Sequence, residues 1–303
     1  MKQHEGKVDD FLDALTGMAT AVSLESIPSS VIHAGRRTLV DTAGAILAGM
    51  NEPQIKTLAG QMAAESTTAR STVWGSRDNA DSMWAALLHG TAGVWHELHG
   101  GHRFSGGHPA TYAVAAGLPV AERERASGRK LLESIIGGYE VATRVGLGTT
   151  LRPGMDPHGS WPVLGAATTA GLLMGYGQDR LRETLNVSTS LNLASSNRAA
   201  REGATVRNVY AGFGAAMGVL AADLVKDGFT GERDGISTVF GNIAGVFLDV
   251  EKILEDLGQR WEIARGYHRL HACARCIHPS LDALLSILNV HVVSPEAVER
   301  VDV

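Results

Sequence analysis

Apolar and small residues recur at helical spacing along most of the chain. Residues 32–48 carry such a stripe and stop at Gly49. Residues 82–98 repeat it. In 128–146, Leu131, Leu132, Ile135, Ile136, Tyr139, Ala142 and Val145 make one broad apolar face, the mark of a helix packed on a core. Helices are also predicted over 161–175 and 179–195, with a short break at 176–178. Residues 208–226 are rich in small side chains and stop at Asp227-Gly228, a good terminator. Pro279, just after His278, opens a last helix that continues through 281–288. Strands do not alternate with helices, so a doubly wound parallel sheet is excluded. The expected fold is mainly α, one large all-helical domain over residues 1–265. The pattern then changes, and 298–303 alternate as a strand would.

Glycine sharpens this picture. There are 36 glycines, many inside the helical stretches beside Ala and Ser. A glycine in a helix costs about 0.5–1 kcal/mol relative to alanine. Tolerating so many predicts helices that pack backbone to backbone.

Composition then excludes several classes. With 44% apolar and 19% charged residues, the chain can bury a sizeable core and is not disordered. The net charge of −5 offers no basic excess for phosphate, so nucleic acid is not an expected partner. No apolar run approaches the roughly 18 residues of a membrane span, so no membrane association is expected. The polar start MKQHEGKVDD lacks the apolar centre of a signal peptide. The expectation is a cytoplasmic protein. Two cysteines, Cys273 and Cys276, make no disulfide framework.

Four segments carry candidate chemistry. His96-Glu97-Leu98-His99-Gly100-Gly101-His102-Arg103-Phe104-Ser105-Gly106-Gly107-His108 packs four histidines, a glutamate and an arginine among glycines. Glycine permits close backbone paths, so such a loop can bring several titratable groups to one pocket. Imidazoles suit proton transfer near neutral pH. Metal binding and an exposed polar loop are the alternatives. The zincin spacing fails, because one residue rather than two separates Glu97 from His99. His158, in Asp156-Pro157-His158-Gly159, is a second candidate, or a helix-start residue. Arg207, just before a predicted helix, can clamp a carboxylate through two hydrogen bonds, or lie solvated on the surface. The fourth segment, His268-Arg269-Leu270-His271-Ala272-Cys273-Ala274-Arg275-Cys276-Ile277-His278, contains a Cys-x-x-Cys pair. Its histidines crowd the cysteines too closely for a structural zinc site, which uses two separated ligand pairs.

These segments, in this order, resemble the MmgE/PrpD family of 2-methylcitrate dehydratases, cis-aconitate decarboxylases and iminodisuccinate epimerases. Further support comes from Leu39-Val40-Asp41-Thr42-Ala43-Gly44, Gly107-His108-Pro109-Ala110, Gly138-Tyr139-Glu140-Val141 and Asp227-Gly228-Phe229-Thr230-Gly231. The resemblance implies an all-helical domain followed by a smaller α+β lid, of which residues 266–303 are the beginning. It implies that the chain stops where most of that lid would follow. It also implies a homodimer that uses no metal or organic cofactor, acting on a small polycarboxylate. His108 and His158 match histidines of the family's active site. Arg207 and Arg269 fall where the decarboxylase branch has lysines, and His278 matches a common histidine. Two departures follow. His99 and Gly100 stand where acidic residues are usual, and His102 where Asn is usual. Arginine in place of lysine keeps carboxylate binding but gives up easy proton transfer.

The expected enzyme is a lyase of the 2-methylcitrate dehydratase type. It removes a proton next to a carboxylate with loss of water. His108 and His158 are its expected catalytic pair, and Arg103, Arg207, Arg269, His99, His102 and His278 its substrate-binding residues. Epimerisation or decarboxylation of a related acid is the alternative. An inactive helical fragment is the reading from another class.

Overall fold

Helix α6 forms where the sequence pattern is clearest. The Ser127 hydroxyl accepts the Lys130 N–H at 3.2 Å and so caps the helix start. Every residue from Ser134 to Gly148 is buried, which makes this helix the axis of the molecule. The computed structural model describes residues 2–302, with side chains from residue 11 onward. The helices in chain order are α1 (Lys2–Thr20), α2 (Ser29–Gly49), α3 (Pro53–Glu65), α4 (Ser82–Trp95), α5 (Pro109–Arg123), α6 (Gly128–Gly148), α7 (Val163–Leu173), α8 (Gln178–Thr189), α9 (Asn197–Arg201), α10 (Val206–Lys226), α11 (Gly235–Thr238), α12 (Val250–Leu254) and α13 (His278–Leu288). The structure is 61% helical and 6% strand, so the mainly-α reading holds.

Small residues set how close these helices come. A Cβ added to Gly212 of α10 would lie 2.2 Å from the Leu87 carbonyl oxygen of α4. One added to Gly138 of α6 would lie 2.5 Å from the Gly165 carbonyl oxygen of α7. Real Cβ atoms do not come so near, so at these crossings the backbones touch. This is the packing that the glycine content predicts. Helix α10 is long and apolar enough to cross a membrane, but 56% of its apolar stretch is buried in the protein. It packs on α4, α5 and α7, as a core helix does.

Several boundaries differ from the sequence reading. The helix expected over 82–98 ends at Trp95, because the chain turns there and Glu97 takes a left-handed φ of +55°. The helix expected over 179–195 ends at Thr189, and the residues after it form a loop that returns to His158. Helices α1, α3 and α5 are not singled out by the pattern. The strand expected at the C-terminal end is absent among the described residues. Residues 298–302 are exposed and pair with no strand, so the alternation of Val298 and Val301 has no sheet to face. Val303 lies outside the described residues.

Three short ladders complete the fold. Strand β1 (Ser71–Thr72) pairs with β2 (Asn79–Ala80), and β4 (Thr149–Leu151) with β5 (Gly245–Leu248). The third matters for function. Strand β3 (Gly101–His102) pairs antiparallel with β6 (Gly266–Tyr267), placing Gly101 opposite Tyr267. This ladder draws the far end of the chain onto the histidine-rich loop.

Candidate active site

The loop between α4 and α5 is shaped by close approaches. A Cβ on Gly101 would lie 2.6 Å from the Tyr267 hydroxyl and 2.7 Å from His108 Nδ1. One on Gly107 would lie 2.2 Å from Trp161 Cζ2. Only glycine lets the loop fold this tightly, and the folding delivers His108 to the first position before α5, with Pro109 opening the helix.

Three imidazoles meet there. His108 and His158 stack with ring centroids 4.7 Å apart and planes 7° from parallel. His99 stands edge-on to both, at 4.3 Å from His108 and 5.6 Å from His158. One ring nitrogen from each lies within 4.8 Å of those of the other two. His99 and His158 are buried, and His108 is partly so.

Hydrogen bonds define which nitrogen of each ring is available. His108 Nδ1 is 2.9 Å from the Gly100 carbonyl. A carbonyl only accepts, so Nδ1 carries the proton and Nε2 keeps its lone pair. His158 Nδ1 faces the Tyr112 hydroxyl at 3.3 Å, and that hydroxyl oxygen accepts the Gly159 N–H at 2.7 Å. The Tyr112 proton is then directed at His158 Nδ1, which leaves the proton of the neutral ring on Nε2. His158 is fixed further by Asp156, whose Oδ1 accepts its N–H at 2.8 Å, and by Ser195, whose hydroxyl donates to its carbonyl. His158 Nε2 and both nitrogens of His99 are buried without a hydrogen-bond partner among the described residues.

Burial is the main force on these rings, because it disfavours the charged form. It pushes His108 down to about 3, with Arg269 adding to the effect. His99 and His158 are lowered well below the ordinary histidine range, again by burial first and then by neighbouring cations. All three rings are neutral at physiological pH.

The cations are Arg207 and Arg269, and both bind Glu97. Arg207 pairs with Glu97 Oε1 and Arg269 with Oε2. Arg269 Nη1 also donates to the Glu97 carbonyl at 2.8 Å. Burial raises the Glu97 carboxyl, but the two guanidiniums outweigh it and hold the carboxyl below its ordinary value. The Nε atom of each arginine is buried without a partner among the described residues. The pair thus forms a carboxylate-binding fork with hydrogen-bonding capacity to spare.

A second polar group supports the loop from below. Arg144 of α6, fully buried, donates to the carbonyls of Ile253, Glu255, Asp256 and Arg260. Glu140, one turn earlier, accepts the Ile263 N–H at 2.8 Å. Together they fix the segment that holds Glu262. Glu262 Oε2 lies 3.1 Å from His102 Nε2, and Glu262 also pairs with Arg260 and Arg265. His102 Nδ1 accepts the Ser105 N–H at 3.2 Å. The Gly-Tyr-Glu stretch of α6 therefore acts through Glu262 and His102 on the loop.

The structure gathers His99, His108, His158, Arg207 and Arg269 at one place. It does not bring the other three nominated residues there. His102 is buried against Glu262. Arg103 is exposed on the loop. His278 starts α13, where its ring contact is His271 at 5.0 Å. Cys273 and Cys276 are free thiols. Two residues that the sequence does not nominate belong to the site. Glu97 is conspicuous only once its partners, 110 and 172 residues away, are in place. Tyr112 lies on α5, which the sequence pattern does not single out.

The MmgE/PrpD N-terminal domain model matches residues 13–252. The chain belongs to the MmgE/PrpD family. The matched segment includes Glu97, the three imidazoles and Arg207, and stops short of Arg269. A cis-aconitate decarboxylase-like protein, oryM of Aspergillus oryzae, is 26% identical over 297 residues, covering 89% of this chain and 60% of the relative's own length. The chain thus spans about three fifths of that MmgE/PrpD relative.

Proposed function

We propose that the chain is an acid–base enzyme that removes a proton next to a carboxylate of a small polycarboxylic acid, with loss of water. The observation that supports this reading is the stacked His108–His158 pair beside the Arg207–Arg269 fork. Family analogy alone does not fix a reaction, so the argument rests on what these groups can do.

A substrate carboxylate takes the fork that Glu97 occupies in the free protein. His108 Nε2, with its lone pair available, accepts the proton from the adjacent carbon. Negative charge builds on the carboxylate as the C–H bond breaks, and the two guanidiniums stabilise it. His158 presents its Nε2–H to the leaving hydroxyl oxygen. As the C–O bond breaks, the proton gained by His108 passes to that oxygen, so water leaves and His108 returns to neutral, while His158 keeps its Nε2–H and only hydrogen-bonds the departing oxygen. The different Nδ1 partners, a carbonyl for His108 and a hydroxyl for His158, give the two rings their different roles.

Decarboxylation is the second reading, and the name of the Aspergillus relative favours it. The same fork and base then serve loss of carbon dioxide, with a ring N–H returning a proton to carbon. The test is to incubate the 303-residue chain with a panel of citrate-like hydroxy acids and their unsaturated products in deuterated water. New double-bond absorbance identifies dehydration, and released carbon dioxide identifies decarboxylation. A chain that gives neither, and exchanges no carbon-bound hydrogen for deuterium, would sink the proposal.

A further inference from the structure

We propose that the end of α5 remote from His108 forms a binding site for a small oxyanion of the phosphate or carboxylate kind that carries two or more negative charges. Arg70, Arg123 and Arg125 share with Glu122 the lining of a cavity of about 340 Å³, within the roughly 300–1,000 Å³ of small-molecule sites. Helix α5 has 15 residues, so about 22 Å of helix separates this cavity from His108. Binding there does not depend on the chemistry of the histidine pair.

Three guanidiniums around one cavity repel one another unless anions lie between them. The neighbouring carboxylates meet that need only in part. Glu122 turns to the Thr72 N–H and the Trp74 indole N–H. Glu124 and Asp223 both go to Arg123, on Nε and Nη1 at 2.9 Å each. Arg123 Nη2 is left buried with no acceptor among the described residues. The side chains of Arg70 and Arg125 are exposed, and neither has a hydrogen-bond or ion-pair partner among those residues.

The backbone points the same way. Arg125 has a φ of +53°, and Ala69, beside Arg70, one of +44°. Residues other than glycine are uncommon and strained there, and such strain clusters at ligand sites. Arg125 follows the last turn of α5, where the Ala126 N–H reaches back to the Ala121 carbonyl at 2.8 Å. Glycine is the residue that such a cap favours, yet the chain keeps an arginine, and with it a guanidinium at the cavity rim. The C-terminal end of a helix is its negative end and opposes an anion. Here the Ala121 and Glu122 carbonyls already accept the Ala126 and Arg125 N–H groups. Guanidinium forks match the oxygen pairs of carboxylate and phosphate. A ligand with two such groups can bridge Arg70 and Arg125, and one of its oxygens can meet Arg123 Nη2 once these rim side chains move aside.

The experiment is isothermal titration of the 303-residue chain at low ionic strength, with pyrophosphate in one arm and citrate in the other. At least one should bind, and the tighter of the two tells a phosphate site from a carboxylate site. Arg70→Ala with Arg125→Ala should weaken that binding by more than about tenfold. Arg36→Ala with Lys56→Ala removes the same charge from exposed positions elsewhere and should change it by less than about threefold. Arg125→Gly guards against a folding defect. It should bind more weakly and yet melt at a higher temperature, because glycine relieves the left-handed backbone. Binding of neither polyanion would overturn the proposal. Equal losses in the two double variants would do the same, since they would mark a general effect of charge. Heat that survives unchanged without Arg70 and Arg125 would place the ligand at the Arg207–Arg269 fork and would also overturn it.

Discussion

His108 and His158 lie nearly parallel, 4.7 Å between ring centroids, and their Nδ1 atoms are held by different partners, the Gly100 carbonyl and the Tyr112 hydroxyl. Stacked rings in a buried place do not both carry charge. A proton arriving at one must leave before the next turnover, which suits a pair that borrows a proton and returns it.

Replacing His108 by Ala removes the proposed base. Steady-state turnover of the active acid should fall by about 10²–10⁴-fold, the usual contribution of a positioned base. Full turnover in the variant would remove His108 from the mechanism.

The Arg207–Arg269 fork should accept a carboxylate from solution once its own is deleted. Glu97→Ala should lower the melting temperature, because charge-assisted hydrogen bonds are worth about 1.5–3 kcal/mol each. Added succinate should then restore more stability to the variant than it adds to the parent. Thermal melts with and without succinate decide the matter, and equal gains would argue that the fork binds only Glu97.

The Glu262 carboxyl should govern acid stability. Burial pushes it up, but His102, Arg260 and Arg265 pull harder and hold it at about 2, below its ordinary 4.5. A group lowered on folding stabilises above its unfolded value and loses that contribution as pH falls toward the folded one. The window is therefore pH 4.5 to 2, and the size is about 3 kcal/mol. Urea denaturation across this range should show a steep loss in the parent and a shallower one in Glu262→Gln. Parallel curves would mean that Glu262 is not the group responsible.

Two glycine-to-alanine changes should act in opposite directions. At Gly212 the new methyl would meet the Leu87 carbonyl oxygen at 2.2 Å and force α4 and α10 apart, costing about 1–3 kcal/mol or more. At Gly60, on the exposed side of α3 with nothing within 4 Å, alanine should stabilise by about 0.5–1 kcal/mol. Chemical denaturation of both variants checks the pair, and a neutral Gly212→Ala would contradict the close crossing.

Much of the helical framework is legible in the sequence because local periodicity reports it. The face built on Leu132, Ile135, Ile136 and Tyr139 is buried as its spacing requires. Helix α5 is less legible. It begins and is interrupted by prolines at 109 and 119, and the part played by Tyr112 shows only once its hydroxyl is seen between Gly159 and His158. The site is legible in part. His108, His158, Arg207 and Arg269 carry motifs that can be matched one by one. Glu97 and the partner of His102 are long-range facts, since no local signal says that His102 will turn to Glu262 while His99 turns to His108. The strand expected near Val298 shows the opposite limit, because alternation without a neighbouring edge makes no sheet.

The ladder between Gly101 and Tyr267 has a consequence in time. During synthesis at about 5–20 residues per second, roughly 10–30 seconds separate the emergence of its two strands. Through that interval the helices can pack, while Glu97 has no Arg269 and His102 no Glu262. The bundle can therefore exist before the last of these ion pairs does. A chain ending shortly before Gly266 would hold the three imidazoles and Arg207 but lack Arg269, and so half of the pair that binds Glu97.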